Sequence, residues 1–228
     1  MIVKEFKIDE LNLHFFVGIN QIKMDLDEFL NFYTIKNQKE ILDQVFKLLV
    51  EVQNKYENSV VQFIKEKYIL NSDHIFIACY NLQKAFQQDI NISNKKNIEI
   101  FLYLASNRQI KKSIEAFGIN ITDFDKNSCI YCIISPNDNI HSINDELIQK
   151  LKAHETQFTL NNQDINKLNK IKEFFKISDD QINVILNSYG IQNNKMKISL
   201  DSKYSAFHDI ICEKMALLSL EQVKIKNL

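Results

Sequence analysis

Few residues in this sequence have the types and spacing that chemistry needs, and most of those few have a simpler structural reading. Cys129-Ile130-Tyr131-Cys132 is a CxxC pair, but the second pair that would complete a zinc site is missing. It also lies in an apolar, strand-like run, where residues three apart point to opposite faces. Two thiols so placed close neither on one metal nor on each other. The five histidines, His14, His74, His141, His154 and His208, are far apart and show no metal-ligand spacing; each reads as a surface or half-buried residue. The acids Asp123/Asp125 and Asp179/Asp180 sit where helix caps and loop polarity explain them. Three glycines, Gly18, Gly118 and Gly190, are too few for a phosphate-cradling loop, and GxxxxGK[ST], GxGxxG, HExxH and GxSxG do not occur. No catalytic residue, metal site, cofactor or small-molecule substrate is expected.

Arg108 stands apart. Lys and Arg together number 28, and Arg108 is the only arginine. In a chain so rich in Lys, Asn and Ile, an arginine kept only for solubility exchanges readily for lysine. One that uses its planar, forked guanidinium does not. With Lys111 and Lys112 beside it, Arg108 makes the sharpest local basic spot, whereas the lysines at 165–176 and 195–197 read as solvated faces. The net charge of −1 gives no global field for nucleic acid, so an RNA contact would have to be a local patch.

The elements that must position these residues follow from periodicity. Alternation at residues 2–8 and again from Leu11 to Val17 predicts two strands. Asp25 to Tyr56 turns to helical spacing, with Ile41, Val45, Leu48, Leu49 and Val52 as an inward stripe. Ser59 to Ile64 reads as a strand, and a helix capped by Ser72 or Asp73 follows. Ile98 to Leu104 predicts a helix buried on nearly all sides. Gln109 to Phe117 predicts another, with Ile110, Ile114 and Phe117 on one face, ended by Gly118. Ser128 to Ser135 is the clearest strand. Capping signatures at Ser142 and Ser178 start further helices. A final helix from about Ser202 to Glu221 carries Tyr204, Phe207, Ile211, Met215 and Leu218 on one face. With 45% hydrophobic residues, 16 Phe and 8 Tyr, the core is ample. The expected fold is α+β: a single domain over 1–228, with a small mixed or antiparallel sheet covered by several helices. No signal peptide or membrane span is read, and four scattered cysteines make no disulfide framework. A cytoplasmic protein is expected, or a nuclear one if eukaryotic.

The stretch from Asn97 to Ile119, NIEIFLYLASNRQIKKSIEAFGI, resembles the signature of one family. It is the small KEOPS subunit that binds the PRPK/Bud-type kinase, the TPRKB family. Glu99, Leu104, Arg108, Gln109, Ile110, Ile114, Phe117, Gly118 and Ile119 match. Ile171 to Asn183 and the closing Ile210 to Leu220 are also similar, so the resemblance covers roughly residues 60–221. The family's usual Ser-Gly-Lys is here Ala105-Ser106-Asn107, and the helical stretch at about 25–56 reads as an expansion. The resemblance implies a non-catalytic subunit of the complex that makes threonylcarbamoyladenosine in tRNA. Its implied partners are the kinase/ATPase subunit and the single-stranded 3′ CCA end of tRNA. For the tRNA it points to Ser106, Asn107, Arg108, Gln109, Ile110, Lys111 and Lys112, at a helix N-terminus suited to phosphate. Met215, Leu217 and Leu220 on the last helix are the expected kinase contacts. The alternative is a purely structural scaffold subunit without RNA binding.

Overall fold

A computed structural model of the chain describes residues 1–124, 128–191 and 198–226. Asp125 and the lysines at 195 and 197 lie outside them. Strands β1 (Ile2–Ile8) and β2 (Leu13–Met24) open the chain, followed by α1 (Leu26–Tyr33), α2 (Gln38–Lys55) and β3 (Val60–Ile64). Next come α3 (Ser72–Gln87), α4 (Lys96–Ala105), α5 (Ile110–Phe117) and the single turn α6 (Ile121–Phe124). Strand β4 (Cys129–Ser135), α7 (Ile140–Leu151) and β5 (Ala153–Glu155) precede α8 (Ile165–Phe175), α9 (Asp179–Ser188) and α10 (Leu200–Lys226). Packing groups the chain into two compact units: Met1–Glu66 with Gly118–Phe158, and Lys67–Phe117 with Thr159–Leu228. The fold class is α+β, as expected. Among the described residues, no helix is long and apolar enough to cross a membrane.

The first unit holds the sheet, antiparallel in each pairing, in the order β1-β2-β4-β3 with β5 also on β2. The stripe expected in α2 is buried as read, Ile41, Val45, Leu48, Leu49 and Val52 all lying within the core. They pack with Phe63, Tyr131 and Ile133 of the sheet and with Ile143, Leu147 and Leu151 of α7. Each such side chain contributes roughly 1.5–3 kcal/mol by leaving water. The helical run from Asp25 to Tyr56 is built as two helices: Asp25 caps α1 by accepting from the Glu28 N–H, and Asn37 caps α2 by accepting from the Lys39 N–H. Helix α7 begins at Ile140 behind Asn139, without a side-chain cap, two residues before the Ser142 signature. It comes close to β2 because Gly18 lacks a side chain. A Cβ there would collide with Ile140 Cγ2.

Strand β2 is longer than its alternation suggested. Asn20 and Gln21 interrupt the pattern, yet both are buried. Asn20 Nδ2 donates to Asn144 Oδ1 at 2.6 Å and to Glu155 Oε1 at 2.9 Å, and the Tyr131 hydroxyl donates to Asn144 Oδ1 at 2.6 Å. Gln21 Nε2 donates to Ser128 Oγ at 2.7 Å. Buried polar groups persist where partners are supplied, and here they carry the strand through a stretch that reads as polar. Burial works against the Glu155 carboxylate, but hydrogen bonds from Asn20, Asn144 and the Met1 amino group hold its pKa below the usual range.

The second unit is helical. Glu99 to Ala105 of α4 are all buried, as expected, and α10 buries Tyr204, Phe207, Ile211, Met215 and Leu218 along one face. The capping box at Ser178 and Gln181 is present. Helix α3 differs: its cap is Asn71, whose Oδ1 accepts from the His74 N–H at 3.0 Å, so neither Ser72 nor Asp73 takes that role. His74 itself is fully enclosed, its ring 5.7 Å from Phe175 and 6.3 Å from Phe117. The Leu70 N–H donates to Nδ1 at 3.2 Å, and Nε2 lies 3.1 Å from the Leu104 carbonyl. A ring that accepts from an N–H at one nitrogen and meets a carbonyl at the other is the neutral Nε2–H tautomer.

Burial pushes the His74 pKa down to about 3. The unfolded ring takes a proton below about 6.5, so unfolding consumes a proton between these values. Stability from this group is complete above about pH 6.5 and drains as pH falls toward 3, by about 1.4 kcal/mol per unit. Denaturant unfolding should therefore find the chain roughly 2 kcal/mol less stable at pH 5 than at pH 7 through His74 alone. An NMR titration should find the His74 ring still neutral at pH 5; a ring titrating near 6.5 refutes the assignment.

Candidate functional site

The residues singled out around Arg108 sit in the turn between α4 and α5. Helix α4 ends at Ser106, a left-handed residue with φ 45°. The Ser106 N–H returns to the Tyr103 carbonyl at 2.9 Å and the Asn107 N–H to the Leu102 carbonyl at 3.0 Å. This closing motif normally takes glycine. The next helix begins at once: Asn107 Oδ1 accepts from the Gln109 N–H at 2.8 Å, a cap that a lysine in this place could not provide. Ser113 fastens the turn from below, donating to the carbonyls of Asn107 and Gln109.

Arg108 is half-buried and its charge reaches inward. Glu99, with no exposed surface, accepts from the Ile92 N–H at 3.0 Å and the Ser93 N–H at 2.6 Å. Burial raises the Glu99 pKa, while those two N–H groups and the Arg108 charge pull it back. The guanidinium thus acts as the counter-charge of an enclosed carboxylate. Gln109, Lys111 and Lys112 are exposed. Ile110 and Ile114, read on one face with Phe117, are 43% and 38% exposed, whereas Phe117 is buried. Ser113, Ala116 and Phe117 form the buried face, because small residues there let α5 lie close to its neighbours.

Ser106 and Asn107 line a groove of about 300 Å³ with Ala105, Phe175, Lys176, Lys214, Leu217 and Leu218. The turn expected to meet tRNA and the last helix expected to meet the kinase therefore share one hollow. Leu217 and Leu220 are 47% and 58% exposed, open as expected. Met215 is not: it has no exposed surface, and its place in the inward row of α10 removes it from any partner surface. Lys176 and Lys214 were not singled out by sequence. Lys176 ends α8 in a left-handed conformation with φ 51°, and Lys214 stands one turn before Leu217 and Leu218 on α10. The groove's side chains carry positive charge and no acid. A second hollow, lined by Asp73, Asp201, His208 and Tyr204 among others, has the opposite sign and suits phosphate poorly.

Among the described residues, the remaining candidates do not assemble into a catalytic set. Cys129 and Cys132 pair across the sheet with Ile22 and Ile19 respectively, both buried, with the Cys129 thiol donating to the Asp123 carbonyl. Among the described residues no group of His, Cys, Asp and Glu is arranged to hold a metal. Cys212 does lie 3.7 Å from His208 Nε2, and Asp209 Oδ1 is 3.6 Å from the same ring. Burial, with Asp209 and Asp73 adding to it, pushes the Cys212 thiol up to about 11. It stays protonated at neutral pH, and a protonated thiol is a poor nucleophile.

A family model described as kinase binding protein CGI-121 matches residues 32–219, which takes in the turn, the groove and nearly all of α10's described face. No curated protein matches the chain.

The left-handed serine yields a stability test. Its hydroxyl is buried with no hydrogen-bond partner among the described residues, and a side chain at this φ is strained where glycine is not. Ser106→Gly should raise stability by about 0.5–1 kcal/mol, roughly 1–4 °C in melting temperature for a chain of this size. A fall in melting temperature would show that the serine stabilises the turn through its side chain.

Proposed function

The chain belongs to the CGI-121 family of kinase-binding proteins, and we propose that it is the non-catalytic KEOPS subunit that joins the kinase/ATPase subunit to the 3′ CCA end of tRNA. The observation that carries this reading is the groove itself, where Ser106 and Asn107 meet Lys214 and Leu217. An unpaired RNA end is bound by stacking its bases on flat or apolar surface and by placing cations near its phosphates. Leu217, the exposed apolar side chain of the groove, supplies the first, Lys176 and Lys214 the second. Gln109, Lys111 and Lys112, exposed on the adjoining turn, extend the cationic and hydrogen-bonding surface. Leu220, outside the groove and well exposed, continues the apolar row of α10 toward a kinase lobe, as helix anchors do in partner grooves.

A second reading, a scaffold that binds the kinase without RNA, draws on Arg108. Its charge serves the buried Glu99, so the turn has a structural reason to keep an arginine whether or not RNA visits.

Two variants separate the arms. Lys176→Glu/Lys214→Glu should weaken binding of deacylated tRNA by about tenfold or more, the loss of one or two charge-assisted contacts, with melting temperature and kinase capture unchanged. Wild-type binding should also fall when the CCA is removed and as salt is raised. Leu220→Asp should abolish capture of the KEOPS kinase subunit and leave tRNA affinity intact. Equal affinity for tRNA with and without its CCA would leave the scaffold reading standing, and kinase binding indifferent to Leu220 would remove α10 as the interface.

A further inference from the structure

Helix α2 carries two apolar rows. One is the buried stripe already described. The other is Leu42, Phe46 and Val50, each one turn from the next, with Leu42 half-buried and Phe46 and Val50 42% and 53% exposed. A row of charges runs beside it at the same four-residue step: Lys39, Asp43, Lys47 and Glu51, all exposed. The signs alternate. Glu51 also meets Lys150 Nζ of α7 at 3.4 Å, and Lys55, which continues the step, is taken up by Glu146 Oε2 at 2.6 Å.

We propose that this outward face of α2 docks a second copy of the same chain, the two helices antiparallel about a twofold axis lying level with the midpoint of Asp43 and Lys47. A twofold contact presents the same patch from both copies, so the patch must complement its own reversal. This one does. Reversed about that point, Lys39 of one copy stands opposite Glu51 of the other, and Asp43 opposite Lys47, giving four opposite-sign pairs. In the same register Leu42 falls midway between Phe46 and Val50 of the facing helix, so the apolar ridges interdigitate as rows of four-residue step do. A parallel alignment in register sets Lys39 on Lys39 and Asp43 on Asp43. Centring the antiparallel pair on Lys47 sets Lys47 on Lys47 and Asp43 on Glu51. A pair centred between Lys47 and Glu51 needs Lys55 opposite Asp43, and Lys55 is already engaged by Glu146, so the charges favour the first arrangement; opposite charges across a contact act chiefly as this kind of selection. Residues 39 to 51 span only about 18 Å of helix, a small interface, so dilution should dissociate the dimer.

Sedimentation equilibrium of the full chain over a range of concentrations tests this. The apparent mass should rise from 26.8 kDa toward twice that value. Lys47→Glu, which places acids opposite Asp43, should weaken association at least tenfold. The double variant Asp43→Lys/Lys47→Glu restores opposite signs across the axis and should recover dimerisation. That recovery separates the proposal from charges that merely support the helix along its own length. Within each helix the swap sets like charges one turn apart, the new lysine beside Lys39 and the new glutamate beside Glu51. Phe46→Ser should abolish association while leaving the melting temperature within a degree or two. A chain that stays monomeric at every concentration, as it would if this face served a different protein, overturns the proposal. So does a dimer indifferent to Lys47→Glu and Phe46→Ser, or a double variant that stays monomeric with its melting temperature intact.

Discussion

A carboxylate with no route to water cannot stay charged unless the protein surrounds it with donors, and the α4–α5 region is organised around one such group. Glu99 draws the N–H groups of Ile92 and Ser93 onto itself from the loop ahead of α4 and holds the charge of Arg108 near it from the turn behind. Loop, helix and turn are thereby tied to one point. Removing either charge would leave the other buried or half-buried without its opposite, which is far more damaging than the pair is stabilising. Ser106 and Asn107, just before Arg108 in the same turn, line the groove while Arg108 does not.

The turn also shows how a backbone outlives the residues that usually build it. Glycine is expected at a left-handed helix end because it lacks the Cβ clash, yet Ser106 takes that conformation and makes both closing hydrogen bonds of the motif. The cationic side chain expected at the next position is replaced by Asn107, which caps α5 instead. Positive charge is then supplied from elsewhere in the sequence, by Lys176 and Lys214. The turn lends the hollow its polar wall, and Lys176 and Lys214 lend it its charge.

Elements set by long apolar periodicity were legible in the sequence. The α2 stripe, the buried run of α4, strand β4 and the inward face of α10 all appear where spacing alone put them, and the capping box at Ser178 marked its helix to the residue. What stayed hidden was hidden for identifiable reasons. Asn20 and Gln21 look like surface residues until Asn144, Glu155 and Ser128, more than a hundred residues away, provide their partners. The tautomer of His74 depends on a carbonyl thirty positions on. The buried face of α5 was only partly legible: Phe117 stands out by size, but Ser113 and Ala116, which pack beside it, carry no apolar signal. Lys176 belongs to a run that looks like an ordinary solvated face and Lys214 stands alone in its stretch of α10, so only their shared place in the groove distinguishes them. Leu217 and Leu220 were legible as open positions because they fall between the inward-facing residues of α10. Met215 was not, since its own place in that inward row argued against it.

The thiols have a practical side. Cys79, Cys129 and Cys132 are buried and Cys212 is half-buried with its proton held firmly, so alkylating reagents meet four slow targets. A single cysteine introduced at an exposed site such as Lys112 would carry a fluorophore or spin label almost alone, without first stripping the native cysteines from the chain. Distances and arrival times at the groove can then be followed in a protein whose interior has not been edited.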